Sequence, residues 1–375
     1  TGTLAAHFER VCAVDVASEA LEFAREYLAP SRRVEVRRAA DLGGGGPGPR
    51  HEAGCVIDVL GHAESPPALL RNARRWLGDD ARLFIAEPLA SPTQSLLPPV
   101  LRAFSRPGLS QLLARSGWEV ESWVDAIGHF VSCVARPSSA ESWLDLERAD
   151  LAREQGDWAG ALEAYARASK GAAAELECEA LLGAAEVRAA LGDLDEVCRC
   201  LLEAARIAPN HARALAGLAE LSLLSGDARQ TLELAVRALE HDPCDLVAMQ
   251  ALARGAQKLE QADAFASWRI ANALAPADIE TAIELSRLAA GRGQLGYAIW
   301  VLERVRAFRD DLVADFHVTL GWLYVSHGRL GEARLEAELA RVKEPESSGV
   351  RELWAQLEAA ISTSGRAPHL GHAAE

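Results

Sequence analysis

The chain has 375 residues, 49% of them hydrophobic and 25% charged, with a formal net charge of −15. That length is long for a single core, so two domains or a repeat array are expected, and no apolar stretch approaches the roughly eighteen residues that span a bilayer. Residues 1–140 carry 15 basic and 16 acidic side chains and the remainder 24 and 38, so the C-terminal part repels phosphate backbones, which argues against nucleic acid and favours basic or neutral partners.

Seven cysteines, Cys12, Cys55, Cys133, Cys178, Cys198, Cys200 and Cys244, lack the paired spacing of a disulfide framework or a zinc ribbon, which points to a reduced, cytoplasmic protein. Cys198 and Cys200 lie in a helical pattern, where residues two apart face different directions. They read as core cysteines, and no metal is expected.

In chain order, apolar strand-type runs at 11–16, 34–36, 55–60 and 83–86 alternate with helical runs at 18–28 and 67–77. Ser18 is placed to cap the first helix, which closes before Pro30. Residues 118–124 and 129–135, separated by an Asp-Ala-Ile-Gly turn, should pair as an antiparallel hairpin at the sheet edge. This order predicts a doubly wound α/β domain, a fold that supports many chemistries. The glycine-rich run 42–50 follows the third strand and no Lys-Ser comes after it, so it reads as a surface loop and not a phosphate cradle.

Four segments carry a more specific likeness: Val14-Asp15-Val16 with Ser18-Glu19-Ala20-Leu21; Asp58-Val59-Leu60-Gly61-His62; Leu69-Leu70-Arg71 through Arg82-Leu83-Phe84-Ile85-Ala86; and Phe104-Ser105 with Ser116-Gly117-Trp118. Together, over about 135 residues, they resemble class I S-adenosylmethionine-dependent methyltransferases, whose Rossmann-like fold binds S-adenosylmethionine. The resemblance implies that Asp15, at the end of the second strand, holds both ribose hydroxyls, since a carboxylate can accept two hydrogen bonds from a vicinal diol. It implies an apolar cofactor contact from Ile57, cofactor positions at Val16 and Asp58, and an adenine contact at Asp41, with Ala40 and Arg38 as alternatives. His62 is the base it offers, though a helix-entry or supporting histidine fits that position as well. Gly61 stands where the family often has Glu, and Asp79-Asp80-Ala81 where it has Pro-Gly-Gly. Family members place a strand and a glycine-rich loop ahead of the first helix, and only Gly2 and Thr3 correspond to that loop here. The sheet is therefore expected to be interrupted between the second and fourth strands, and the chain to bind cofactor poorly.

Beyond residue 137 a glycine followed by a polar residue recurs at Gly156, Gly192, Gly226, Gly293 and Gly328, with spacings of 36, 34, 67 and 35. The long gap is two periods, and Ala264, Trp268, Ala271 and Pro276 mark a degenerate fourth unit within it. Small residues follow each glycine at fixed offsets, as in Ala161, Tyr165 and Ala168. The last unit, Leu320, Gly321, Tyr324, Gly328, Ala333, Ala337, Ala340 and Pro345, is similar to the tetratricopeptide (TPR) repeat along its whole length. Six helical hairpins are expected, each hiding its apolar face against the next. The predicted organisation is a methyltransferase-like domain at 1–137, six TPR-type repeats at 138–346, a capping helix at 347–361 and a disordered tail at 362–375.

In the TPR geometry the ninth positions of the first helices, Asp150, Glu186, Glu220, Arg287 and Trp322, line a groove. Three carboxylates along it suit a basic protein or peptide, and a solvated polar helix face is the plainer account of them. Members that bind chaperone tails use a basic clamp there, whereas this chain has only Lys170, Lys258 and Lys343. Two functions follow from the resemblances: a methyltransferase whose repeats recruit a protein, peptide or glycan-assembly partner, or a non-catalytic interaction scaffold with a degenerate methyltransferase-like domain. A nucleotide-dependent oxidoreductase would leave residues 58–62 unexplained.

Overall fold

The computed structural model describes residues 11–15, 22, 34–38, 51–57, 59–60, 63, 66–88, 104–124, 130–138, 142–170, 172–261 and 263–364. The chain divides into two compact units, Thr1–Pro88 with Leu109–Val187, and Leu89–Gly108 with Arg188–Glu375.

In the first unit β1 (Val11–Asp15) pairs in parallel with β2 (Val34–Arg38). A second sheet has the order β3-β4-β6-β5, built from β3 (His51–Ile57), β4 (Leu77–Pro88), β5 (Trp118–Trp123) and β6 (Phe130–Pro137). β3 and β4 are parallel, whereas β6 runs antiparallel to both β4 and β5. Among the described residues these are two separate sheets. The hairpin forms, but only β5 lies at the edge, because β6 bonds β4 from Leu83–Ala135 to Pro88–Phe130. β4 also starts six residues earlier than its apolar run suggests, since Leu77 pairs with His51 across a register shift. Ala81, Leu83 and Ile85, two apart and thus on one face, are buried.

Helix α1 (Pro66–Trp76) is tied to β5 by the Trp118 indole, which donates to the Leu70 carbonyl at 3.0 Å. Helix α2 (Arg106–Ala114) buries Leu109 and Leu113, and the Ser105 hydroxyl accepts from Gly108 N at 3.1 Å at its start. Of the expected helix at 18–28 only Glu22 is described, as helical; the glycine run at 42–50 and the tail from 365 lie outside the described residues.

From Ser142 the chain is a TPR-type array of antiparallel helical hairpins. The helices are α3 (Ser142–Glu154), α4 (Trp158–Ala168), α5 (Ala174–Ala190), α6 (Leu194–Ile207), α7 (Ala212–Leu224), α8 (Ala228–His241), α9 (Leu246–Lys258), α10 (Ala264–Leu274), α11 (Ile279–Gly291), α12 (Leu295–Arg306), α13 (Ala314–Ser326), α14 (Leu330–Lys343) and α15 (Ser348–Ser364). All five recurrent glycines take positive φ, between 75° and 88°. In the degenerate unit Glu260 stands at the glycine's place with φ 52°, the one non-glycine residue of that kind among those described.

Asp157, Asp193 and Asp227, each next after such a glycine, cap the following helix through their side chains. α6, α8, α10 and α14 each end one residue before proline, on Ala208, Asp242, Ala275 and Glu344. These take φ near −130° to −142° with positive ψ, because proline's ring disfavours the helical region for the residue ahead of it. Small residues let paired helices approach closely: Ala161, Ala168, Ala333, Ala337 and Ala340 are completely enclosed. Trp268, Phe316, Tyr324, Leu353 and Leu357 fill one continuous core in the second unit, so α15 covers the last hairpin and runs on to Ser364.

Candidate partner-binding faces of the repeats

Position nine of the first helices has two environments. In the first unit Asp150 is only 3% exposed. Arg71 of α1 donates to its Oδ2 at 3.0 Å, Arg115 at 3.1 Å, and the Tyr165 hydroxyl donates to Oδ1 at 2.7 Å. Burial would raise the Asp150 pKa, but the Arg115 charge, the Tyr165 hydroxyl and Arg71 together hold it below the usual carboxylate range. Burial, reinforced by Asp150, pushes the Tyr165 phenol well above its ordinary value. Both Asp150 oxygens are thus engaged inside the protein. The expectation that it lines an open groove is corrected: it joins the first hairpin to α1. Glu186 pairs with Arg153, so it too has an internal partner.

In the second unit the corresponding face is open and ion-paired. Arg254, position nine of the degenerate unit, bonds Glu280 and lies 3.7 Å from Glu220. Arg287 pairs with Glu284 at 3.0 Å and with Asp315 at 2.8 Å. Burial raises the Glu220 pKa, partly offset by Arg254. Trp322 is half-buried, packed against Val318, Ala340 and Val350. The predicted wall of carboxylates is therefore a ladder of alternating charge, because arginines one repeat or one turn away reach each acid.

Where α11 and α13 open toward the turn that joins α12 to α13, a cleft of about 480 Å³ is lined by Ile279, Ile283 and Val313, by the acids Glu280, Glu284 and Asp315, and by Arg309, which pairs with Asp311. Asp278, beside it, caps α11 by accepting from Thr281 N at 2.8 Å and is held by the Gln250 amide at 3.0 Å. Apolar side chains beside an excess of acids over the one arginine suit an aliphatic segment carrying a positive charge, which would compete with Arg254 and Arg287 for Glu280, Glu284 and Asp315.

Among the expected cofactor residues, Asp15 ends β1 and its backbone is opposite Arg38. Ile57 ends β3 and is 53% exposed. Gly2, Thr3, Val16, Asp41, Asp58 and His62 lie outside the described residues. Sequence reasoning missed Glu87, which is fully buried at the end of β4 and accepts from both Val59 N and Leu60 N at 3.0 Å. The available signal was a single acid closing the apolar run 83–86. Reasoning also missed Arg71, Arg115 and Arg254, whose partners are distant in sequence.

Cys133 and Cys178 are buried, and burial pushes the Cys133 thiol up to about 11. Among the described residues no cluster of His, Cys, Asp or Glu has metal-holding geometry, and no helix is long and apolar enough to cross a membrane.

No family model matches the chain, and no curated protein matches it significantly. Several similar solved structures are described as TPR proteins. PilW, a type IV pilus biogenesis factor, is 19% identical with a TM-score of 0.48, over 58% of this chain and all of its own. A thermophilic TPR protein of Thermus thermophilus is 21% identical with a TM-score of 0.39, over 49% of this chain and 99% of its own. YrrB, described as a TPR protein with an unusual peptide-binding site, is 18% identical with a TM-score of 0.37, over 47% and 91%.

Proposed function

We propose that this chain is a TPR-type interaction scaffold that captures a basic, aliphatic segment of a partner protein in the cleft at α11 and α13. The observation that carries this reading is the cleft itself, with Ile279, Ile283 and Val313 beside Glu280, Glu284 and Asp315. The apolar side chains supply contact area, and the carboxylates select a cation and exclude acidic competitors. Glu220 and Trp322, at position nine of other first helices in the second unit, would extend the contact there. Fluorescence anisotropy with a labelled peptide of alternating Lys and Leu tests this. The combined substitutions Glu280→Lys and Asp315→Lys should weaken binding at least tenfold, a loss of about 1.4 kcal/mol; unchanged binding removes the idea.

A second reading concerns the α/β part, for which one observation speaks. The methyltransferase resemblance places a strand between the second and fourth strands, and the described residues form one sheet of β1 and β2 and another that begins at β3. On this reading Asp15 and Ile57 stand at the C-terminal ends of β1 and β3, where open α/β sheets hold ligands. Asp15 would take the ribose hydroxyls, with Val16, Asp41 and Asp58 beside the cofactor and Gly2 and Thr3 near its methionine part. S-adenosylmethionine would supply an activated methyl group for an O, N or C nucleophile. The chain's own residues would orient donor and acceptor, and His62 could accept the acceptor's proton. Glu87 fixes the backbone of Val59 and Leu60, with Gly61 between them and His62 in sequence. Calorimetric titration with S-adenosylmethionine, with Asp15→Ala as control, tests this; binding that Asp15→Ala does not weaken contradicts the assignment.

A further inference from the structure

The second helix of the fifth hairpin carries a surface that the cleft does not use. Tyr297, Trp300 and Arg304 fall at i, i+3 and i+7 of α12 and so share one face. The Tyr297 and Trp300 rings stack with centroids 5.9 Å apart, and Trp300 is 45% exposed. Phe308, one turn beyond Arg304, is 43% exposed. The Arg304 guanidinium lies over the Trp300 ring, 4.8 Å from its centroid. Its Nε and Nη2 are enclosed and have no hydrogen-bond acceptor. Arg153, Arg254 and Arg287 on the first helices differ, each having a carboxylate partner.

Enclosed donors without an acceptor are costly, more so when charged. Tryptophan, tyrosine and arginine are also the residues that dominate binding energy where proteins meet. An unpaired guanidinium flanked by exposed rings is the complement of a carboxylate flanked by apolar side chains. We infer that this face of α12 is a second docking surface, which takes an acidic, apolar-flanked segment of a partner protein, its carboxylate on Arg304 and its apolar side chains on Trp300 and Phe308. A nucleic acid would meet the excess of 38 acidic over 24 basic residues beyond residue 140, which repels an extended polyanion but not a single carboxylate. The inference stands whether or not the cleft at α11 and α13 binds a basic segment.

The test is anisotropy with a fluorescein-labelled peptide carrying one Glu among Leu and Ser residues, against a control with Gln in place of that Glu (the Leu–Gln peptide) and a single-stranded DNA oligonucleotide. The intact chain should bind the acidic peptide saturably and in preference to both controls. Arg304→Gln and Trp300→Ala should each weaken it about tenfold, the scale of one charge-assisted hydrogen bond or one aromatic anchor. The melting temperature of Arg304→Gln should equal or exceed that of the parent, because an unsatisfied enclosed charge is removed. Absent or Arg304-independent binding, equal binding of the Leu–Gln peptide, tighter binding of DNA, or a lowered melting temperature in Arg304→Gln would overturn the inference.

Discussion

Asp150 and Arg254 occupy the same place in the first and fourth copies of one repeat, yet only one of them is in contact with solvent. Asp150 is enclosed by Arg71, Arg115 and Tyr165, whereas Arg254 sits on an open face between Glu220 and Glu280. Position in a repeat sets which way a side chain points. What packs over it then decides whether it holds the fold together or is offered to a partner. The first hairpin has α1 against it and uses its position nine internally; the later hairpins keep theirs for the surface.

That contrast can be broken by substitution. The largest effect should come from Asp150→Ala, which leaves the enclosed Arg71 with only Glu147, 3.9 Å away, as its anion and should cost about 3 kcal/mol, measured by denaturant unfolding. Next, Gly183→Ala would place a Cβ 2.3 Å from the Tyr165 ring. That ring is buried and its hydroxyl is held by Asp150, so it cannot swing away, and a loss of about 1–3 kcal/mol is expected. Breaking the surface pair with Glu186→Gln should change stability by no more than about 1 kcal/mol. Smallest, and opposite in sign, Glu260→Gly should stabilise by roughly 0.5–1 kcal/mol, since it relieves a left-handed backbone and removes only an exposed side chain.

Acid sharpens the same contrast. The Asp150 pKa is depressed in the folded protein, so its contribution is present above the unfolded value of about 3.9 and is lost as pH falls through the folded value. Thermal melts between neutral pH and pH 2 should show this component in the parent and not in Asp150→Asn.

The repeats were legible because each position is written several times: the glycine turns, the enclosed alanines and the pre-proline helix ends all fell where the period put them, and Trp268 marked the degenerate unit even without its glycine. Glu260 in that turn could not be foreseen, since only backbone closure by its neighbours forces it to positive φ. Strand pairing is written once. The run 83–86 announced a strand, but β4's extension to Leu77 and the insertion of β6 beside it depend on His51 and Ala135, far along the chain. The acidic groove was misjudged for a related reason: a carboxylate's partner is set by three-dimensional neighbours, and Arg71 lies 79 residues from Asp150.

Partner capture at α11 and α13 is tested most directly by hydrogen–deuterium exchange of the whole chain with and without the Lys–Leu peptide. Slowed exchange confined to 279–291 and 307–319 is the predicted result. Protection spread evenly over the array, or found only at other hairpins, would contradict the assignment of that cleft.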